Sequence, residues 1–228
     1  MADINNIYNS SFYEYLNPSQ NRYGNLELYT YPDTQVVTTA ELKSQLRIDT
    51  SDEDTLLATY ISAATQMAEH YCNRHFINAI YRLYFFDNLP DSFSLYFPDC
   101  SILAHDVGGA DDDGLWYLPE SSASTNNYVA LGNTNWLLKN SNPSIVSKSS
   151  NFAEPNSIIP VDIMDGANKA RWYFQFSTGM GAAASDVPDA IKQAIKLIAS
   201  DMYYFREDRK RAFPMASEIL LQPYKCYL

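Results

Sequence analysis

The chain has 228 residues, of which 46% are hydrophobic and 19% are charged, a balance typical of a folded globular protein. Its formal net charge is -11, so the surface as a whole repels phosphate and offers no counterion release for gripping DNA. The three cysteines include no Cys-x-x-Cys pair, and no signal peptide or membrane-length apolar run is present, so disulfides, secretion and a membrane partner are not expected.

Residues 1–36 are predicted to form an extended N-terminal arm. The segment is rich in Asn, Ser and Tyr, is interrupted by Pro18, Gly24 and Pro32, and has neither helical nor strand periodicity. Tyrosine is costly to leave in water and is enriched in protein interfaces. The arm is therefore expected to pack either on a partner or on its own body, and the sequence leaves these alternatives open.

Two helices are predicted next, over about residues 39–48 and 52–74. Thr38 is placed to cap the first, and Glu41, three residues on, to reach back to the cap amide. Ser51 and the three carboxylates after it are typical of the start of the second helix. Its apolar residues recur at three- and four-residue spacing and predict one buried face, formed by Leu56, Leu57, Tyr60, Ile61, Ala64, Met67, Ala68 and Tyr71.

The segment 77–178 has the composition of an antiparallel β region. Runs of aromatic and β-branched residues, such as 81–86 and 172–176, are separated by clusters of Pro, Gly, Asn and Ser. Within it, the polar stretches 119–128 and 139–157 are predicted to be loops or an inserted lobe.

A last helix is predicted over about 187–206, with a C-terminal tail at 212–228. Asp186 is expected to cap this helix, and Pro188 suits its first turn because the missing N–H is harmless there. The apolar face comprises Ile191, Ile195, Ile198, Met202 and Phe205. Together the elements predict an α+β fold, a small helical bundle of two N-terminal helices and a C-terminal helix with the β region inserted between them.

Motifs for metal or catalytic chemistry are weak. On a helix, His70, Cys72 and His75 do not share a face, so they are not expected to bind a metal. Asp111–Gly114 resembles part of a calcium loop, but Gly109 would occupy the first ligand position, and an acidic β-turn explains the run better. No catalytic residue, cofactor or metal site is therefore expected, and the chain is predicted not to be an enzyme.

A first block of sequence runs over 37–49 (VTTAELKSQLRID), continues with Asp52–Asp54 and includes the long helix to Arg74. This block resembles the head-tail connector, or head-completion adaptor, family of tailed bacteriophages. The family pattern is a short helix, an acidic break and a long helix that ends in a Tyr-x-x-Arg-like turn, matched here by Tyr71 and Arg74.

A second block resembles the same family at the other end of the body. Residues 174–181 (FQFSTGMG) and 187–195 (VPDAIKQAI) are similar to the family's final strand, glycine turn and C-terminal helix. Residues 203–207 and the tail around Pro223 and Tyr224 follow in the same order. The N-terminal arm and the long β region depart from the family pattern.

The resemblance implies a structural protein of the virion neck, assembled in the host cytoplasm. Residues 37–228 would form the connector domain, and identical subunits would form a ring of twelve on the portal protein. The ring would extend the DNA channel, let the genomic DNA pass without specific binding, and present a docking surface to tail or neck proteins.

By the same resemblance, the basic run after the last helix and the apolar tail are candidates for portal contact. The candidates are Arg206, Arg209, Lys210, Arg211, Leu220, Leu221, Pro223 and Tyr224. Alternatively, the leucines pack back on the last helix and the charges are only solvated. For the whole protein, the alternative is a virion or surface recognition module that binds carbohydrate or protein through its β region.

Overall fold

The computed structural model describes residues 25–32, 34–86, 88–102, 113–122, 127–159, 170–206 and 215–227. The chain divides into two compact units. The described residues of Met1–Tyr31 and Ala79–Thr178 form a sheet unit, and those of Pro32–Asn78 and Gly179–Leu228 form a helical unit. Residues 1–24, the greater part of the predicted arm, lie outside the described residues.

The described residues of the helical unit form four helices. They are α1 (Thr39–Leu46), α2 (Asp54–Cys72), α3 (Asp189–Tyr204) and α4 (Met215–Leu221), with 3-10 turns at Ala184–Asp186 and Gln222–Tyr224. The predicted capping box is present at the start of α1, where the Glu41 amide donates to the Thr38 hydroxyl and the Thr38 amide donates to the Glu41 carboxylate at 2.7 Å.

The start of α2 differs from the prediction. The helix begins at Asp54 rather than near Asp52, because Ser51 forms a turn in which its carbonyl accepts from the Asp54 amide. Glu53 occupies the N-cap position but makes no side-chain cap. Asp54, the acidic residue of the first turn, accepts instead from Lys43 of α1 at 2.8 Å, which ties the first two helices together.

The apolar faces of α1, α2 and α3 meet in one core. Its fully buried side chains include Leu42, Leu57, Ile61, Ile191, Ile195 and Ile198. The predicted faces of α2 and α3 therefore point inward over most of their length. Phe205 is an exception, because α3 ends at Tyr204 and the phenylalanine side chain is exposed. The helix also begins after Pro188, so Asp186 lies in the preceding 3-10 turn, where it accepts from the Ala183 amide.

The sheet unit consists of antiparallel strands. They are β1 (Asn25–Thr30), β2 (Ala79–Phe85), β3 (Ser92–Ser94), β4 (Cys100–Ser101), β5 (Gly114–Tyr117), β6 (Val129–Leu131), β7 (Trp136–Lys139), β8 (Ile145–Lys148) and β9 (Trp172–Thr178). One sheet has the order β1-β2-β9-β5-β6, with β4 also paired to β9, and a second has the order β3-β8-β7. The predicted α+β class with an antiparallel β region is confirmed.

Aromatic side chains fill the space between the two sheets. Phe174 of β9 packs edge-to-face on Phe93 of β3 and Trp136 of β7, with ring centroids 5.5 and 5.2 Å apart. Trp172 and Phe176, two residues to either side on β9, point the same way and are fully buried. This aromatic layer is the second core of the protein.

The opposite side of β9 is buried and polar. Gln175 accepts from the Arg82 guanidinium at 2.8 Å, and the Ser177 hydroxyl donates to Asp113 at 2.9 Å. Tyr29 stacks over the same guanidinium, with the Arg82 Cζ 3.4 Å from the ring centroid. Buried polar groups that find partners in this way satisfy their hydrogen bonds without water.

Two strands lie where the sequence analysis placed no regular structure. Residues 25–30, assigned to the arm, form β1 on β2, with Leu26 and Leu28 packed on the aromatic core. Residues 145–148, within a stretch predicted as loop or inserted lobe, form β8, the central strand of the second sheet. Both are short and rest on long-range pairing, which local patterns do not reveal.

Candidate docking surface at the C-terminal segment

The end of α3 is fixed by a cluster around Glu53. The Tyr203 hydroxyl donates to one carboxylate oxygen of Glu53 at 2.5 Å, and the Arg206 guanidinium donates to the other at 3.0 Å. Tyr203, and after it Arg206, lowers the pKa of Glu53, because both stabilise the charged carboxylate. The cluster anchors the first residue of the predicted basic run while leaving the Arg206 side chain largely exposed.

α4 has one face on the core and one face in solvent. Ser217 and Leu221, one helical turn apart, are fully buried. Met215 and Ile219 are also one turn apart, on the outward side, and their exposed fractions are 60% and 68%. Leu220 lies between the faces, partly buried against the core. A helix with two large apolar side chains in water is a candidate for contact with another protein.

The tail after α4 is held on the end of α2. The Cys226 amide donates to the carbonyl of Cys72 at 2.8 Å, and the Asn73 side chain donates to the carbonyl of Cys226 at 3.0 Å. The ammonium of Lys225 lies over the Tyr71 ring, 4.5 Å from its centroid. Burial raises the pKa of Cys72 to about 12, so this thiol is a packing residue rather than a nucleophile.

The predicted contact residues therefore have different environments. Leu221 is buried in the chain's own core, while Leu220 and Tyr224 are partly buried against it. Pro223 and Arg206 are exposed. The remaining three candidates, Arg209, Lys210 and Arg211, lie outside the described residues.

Other large apolar side chains of the C-terminal segment, which the sequence analysis did not select for contact, are exposed. Together with Met215 and Ile219, the side chains of Tyr204, Phe205 and Tyr227 are exposed. We call these five residues the C-terminal apolar set. Met215 and Ile219 are four residues apart, so on a helix they lie on one face, while Ser217 and Leu221 lie on the opposite face. This spacing predicts their exposure only if α4 is already known to be a helix.

The predicted metal motifs can be compared with the described residues. No group of three or more His, Cys, Asp or Glu side chains among those residues is arranged to hold a metal ion. Asp113, the described acidic residue of the calcium-like run, is engaged by Ser177, while Asp111 and Asp112 lie outside the described residues. Among the described helices, none is both long enough and apolar enough to span a bilayer.

Comparison with protein families finds a match, over a segment that runs from α1 to β3. Residues 37–99 match the family model of phage gp6-like head-tail connector proteins. The predicted resemblance to the head-tail connector family is confirmed. The match includes α1 and α2 and continues through β2 and β3. None of the curated proteins compared matches the chain.

Solved structures share the fold of this chain over most of its length. A chain of the neck of an empty gene transfer agent (GTA) particle, computed with C6 symmetry, is 22% identical, with a TM-score of 0.58. A chain of the virion of the native GTA particle is also 22% identical, with a TM-score of 0.56. A chain of the native GTA neck computed with C12 symmetry is 21% identical, with a TM-score of 0.54. Each alignment covers 89% of this chain and 96% of the other.

Proposed function

We propose that the chain is a structural head-tail connector subunit in the neck of a tailed phage or phage-like particle. The observation that carries the proposal is the family match over residues 37–99 together with a shared fold over 89% of the chain. In this proposed role the protein binds other virion proteins during assembly and does not catalyse a reaction.

The proposed assembly is a ring of twelve identical subunits on the portal. The structures with a similar fold come from necks computed with C6 and C12 symmetry, which favours a ring of this order. A closed ring requires that one face of each subunit bind a different face of its neighbour. The bore of such a ring would continue the DNA channel and its far side would receive tail or neck proteins.

The C-terminal apolar set and Arg206 are the proposed portal contact. Exposed apolar side chains become buried on docking and so supply binding energy of about 25 cal/mol per Å² of apolar surface removed from water. Leu221 is omitted from this surface because it is already buried in the chain itself. Arg206 is pre-positioned by Glu53 and would add directional charge.

The test is the mass of a complex with the cognate portal ring, measured by light scattering. Saturable binding at one subunit per portal subunit is expected. A folded chain that fails to bind portal at low and at physiological salt would contradict the proposal and favour a recognition module instead.

A further inference from the structure

The hairpin of β7 and β8 carries apolar side chains on its outer face. Leu137 and Ile145 have exposed fractions of 60% and 40%. Ile145 pairs directly with Lys139, two residues along β7 from Leu137, so the three side chains share one face. Trp136, Leu138 and Val146 alternate with them and pack into the aromatic core. We call Leu137, Lys139 and Ile145 the hairpin face.

The same hairpin ends in an open strand edge. β7 pairs with β8 on one side, and within the described residues no strand pairs with its other side. An open edge beside exposed apolar side chains favours association with another chain. In the second sheet, the opposite outer strand, β3, carries serines at the positions next to Phe93, so the apolar side chains are concentrated at the β7 end.

The charge of the hairpin face is unusual for its surroundings. Over the ranges of the sheet unit, the sequence has 14 acidic residues and 6 basic residues, a net charge of -8. Three of its four described basic side chains have internal partners, namely Arg82 with Gln175, Lys148 with Asp91, and Arg171 with Asn88. Lys139 is the exception, exposed and without a partner among the described residues.

We propose that the hairpin face binds the acidic surface of a neighbouring copy of this chain. The proposal rests on the ring of the proposed function and assigns one side of its subunit contact. A second copy fits because its sheet unit supplies exposed carboxylates, such as Glu120 and Glu154, that have no cationic partner among the described residues. The apolar side chains supply buried area, and Lys139 selects and orients the acidic partner. Because the two surfaces differ, the contact is head-to-tail, the kind that closes a ring.

The first experiment loads portal rings with less than the saturating amount of protein and records the mass of individual complexes. If neighbours contact each other, the wild-type chain fills some rings completely and leaves others empty. The double variant Leu137→Thr/Ile145→Thr keeps strand-forming residues and is expected to weaken loading beside an occupied site at least tenfold, giving randomly filled rings.

The matched control is Val129→Thr, which changes an exposed apolar residue on β6 of the other sheet. It should load as the wild type does. Circular dichroism and melting temperature confirm that each variant is folded. If the double variant loads as cooperatively as the control, the proposed contact is wrong, whereas failure of the wild type to bind portal contradicts the proposed function instead.

The second experiment identifies the partner of Lys139 by zero-length carbodiimide crosslinking of mixed light and heavy-isotope subunits. A crosslink between Lys139 of one isotope and a carboxylate of the other is expected, weakened by salt because exposed charges are screened. Lys139→Arg, which keeps the charge but cannot form this amide, should load normally, and Lys139→Glu should not. Should the wild type not bind portal, the same crosslink is sought in concentrated protein alone. Absence of an intersubunit crosslink, or a crosslink to portal only, overturns the proposal.

Discussion

The capping box of α1 makes part of the stability depend on pH. Thr38 donates to the Glu41 carboxylate from its backbone amide and from its hydroxyl, which lowers the pKa of Glu41 below its ordinary value of 4.5. A carboxyl with a lowered folded-state pKa contributes stability that is fully present above the ordinary value and is lost as the pH falls through the folded value.

The prediction compares wild type with Thr38→Ala and Glu41→Gln. Thr38→Ala should lower the free energy of unfolding by about 1 kcal/mol at neutral pH, since it removes the cap. The deficit of Glu41→Gln should shrink as the pH falls below 4.5, where the wild-type carboxyl is also becoming neutral. Urea titrations at neutral and acidic pH measure both quantities. A deficit for Glu41→Gln that is independent of pH would show that the charge of Glu41 plays no part.

At the residue scale, the sequence predicted side-chain hydrogen bonds only between residues that are close together along the chain. Thr38 and Glu41 are three residues apart, so the sequence alone identified their reciprocal bonds. Glu53 was expected to be an ordinary first-turn carboxylate of α2. Its actual partners, Tyr203 and Arg206, are 150 and 153 residues away, and no local pattern connects them.

At the scale of elements, the two faces of α4 allow stability and the proposed portal binding to be tested by different substitutions. Leu221→Ala should lower the free energy of unfolding by about 2 to 5 kcal/mol, because it leaves a cavity in the helical core. Ile219→Gln should change stability by about 0.5 kcal/mol or less, since the side chain is in solvent. The same variant should weaken portal binding at least tenfold, which corresponds to about 1.4 kcal/mol.

Urea titration and portal-binding isotherms check these effects. Thr59→Gln, at an exposed position of α2, is the matched control and should alter neither quantity. If Ile219→Gln binds portal as tightly as this control does, α4 lies away from the portal contact.

The long helices were predictable because their apolar faces repeat over many turns. Short elements were not. β1 alternates Leu26 and Leu28 with polar neighbours over only 6 residues, and a register shift between Leu28 and Thr30 interrupts even that pattern. β8 contains only two apolar residues, Ile145 and Val146, within a polar stretch. It forms a strand because it pairs with β3 on one side and with β7 on the other. In the tail, Ile219, Leu220 and Leu221 are consecutive apolar residues. The sequence alone does not show which of them face the core, because this depends on how α4 is rotated about its axis.

At the scale of the whole molecule, the negative net charge predicts that the free protein does not bind DNA. A chain with net charge -11 releases no counterions from duplex DNA, so the free protein should not bind it even at low ionic strength, where such binding is strongest. A gel-shift or fluorescence-anisotropy titration with duplex DNA measures this, and a basic protein of similar size serves as the positive control. Saturable binding by the folded chain would contradict the proposal that DNA passes through the ring without specific binding.

The family resemblance was recoverable from the sequence because most of its residues lie on the helices. The order of short helix, acidic break, long helix and final helix is kept on either side of the inserted segment 79–178. The proposed contact surfaces were not recoverable in the same way. They depend on which of several adjacent apolar residues face solvent, as at Ile219 and Leu137, and that choice is made by tertiary packing.

The chain leaves and re-enters the helical unit at neighbouring points. Asn78 donates to the carbonyl of Gly181, and Met180 donates to that of Phe76, while Ala79 and Thr178 are direct partners in the pairing of β2 with β9. Gly179 allows this close approach, since a side chain there would lie 2.7 Å from the backbone of Asn78. The two ends of segment 79–178 therefore lie next to each other. Residues can therefore be inserted into or removed from this segment without moving its two ends apart.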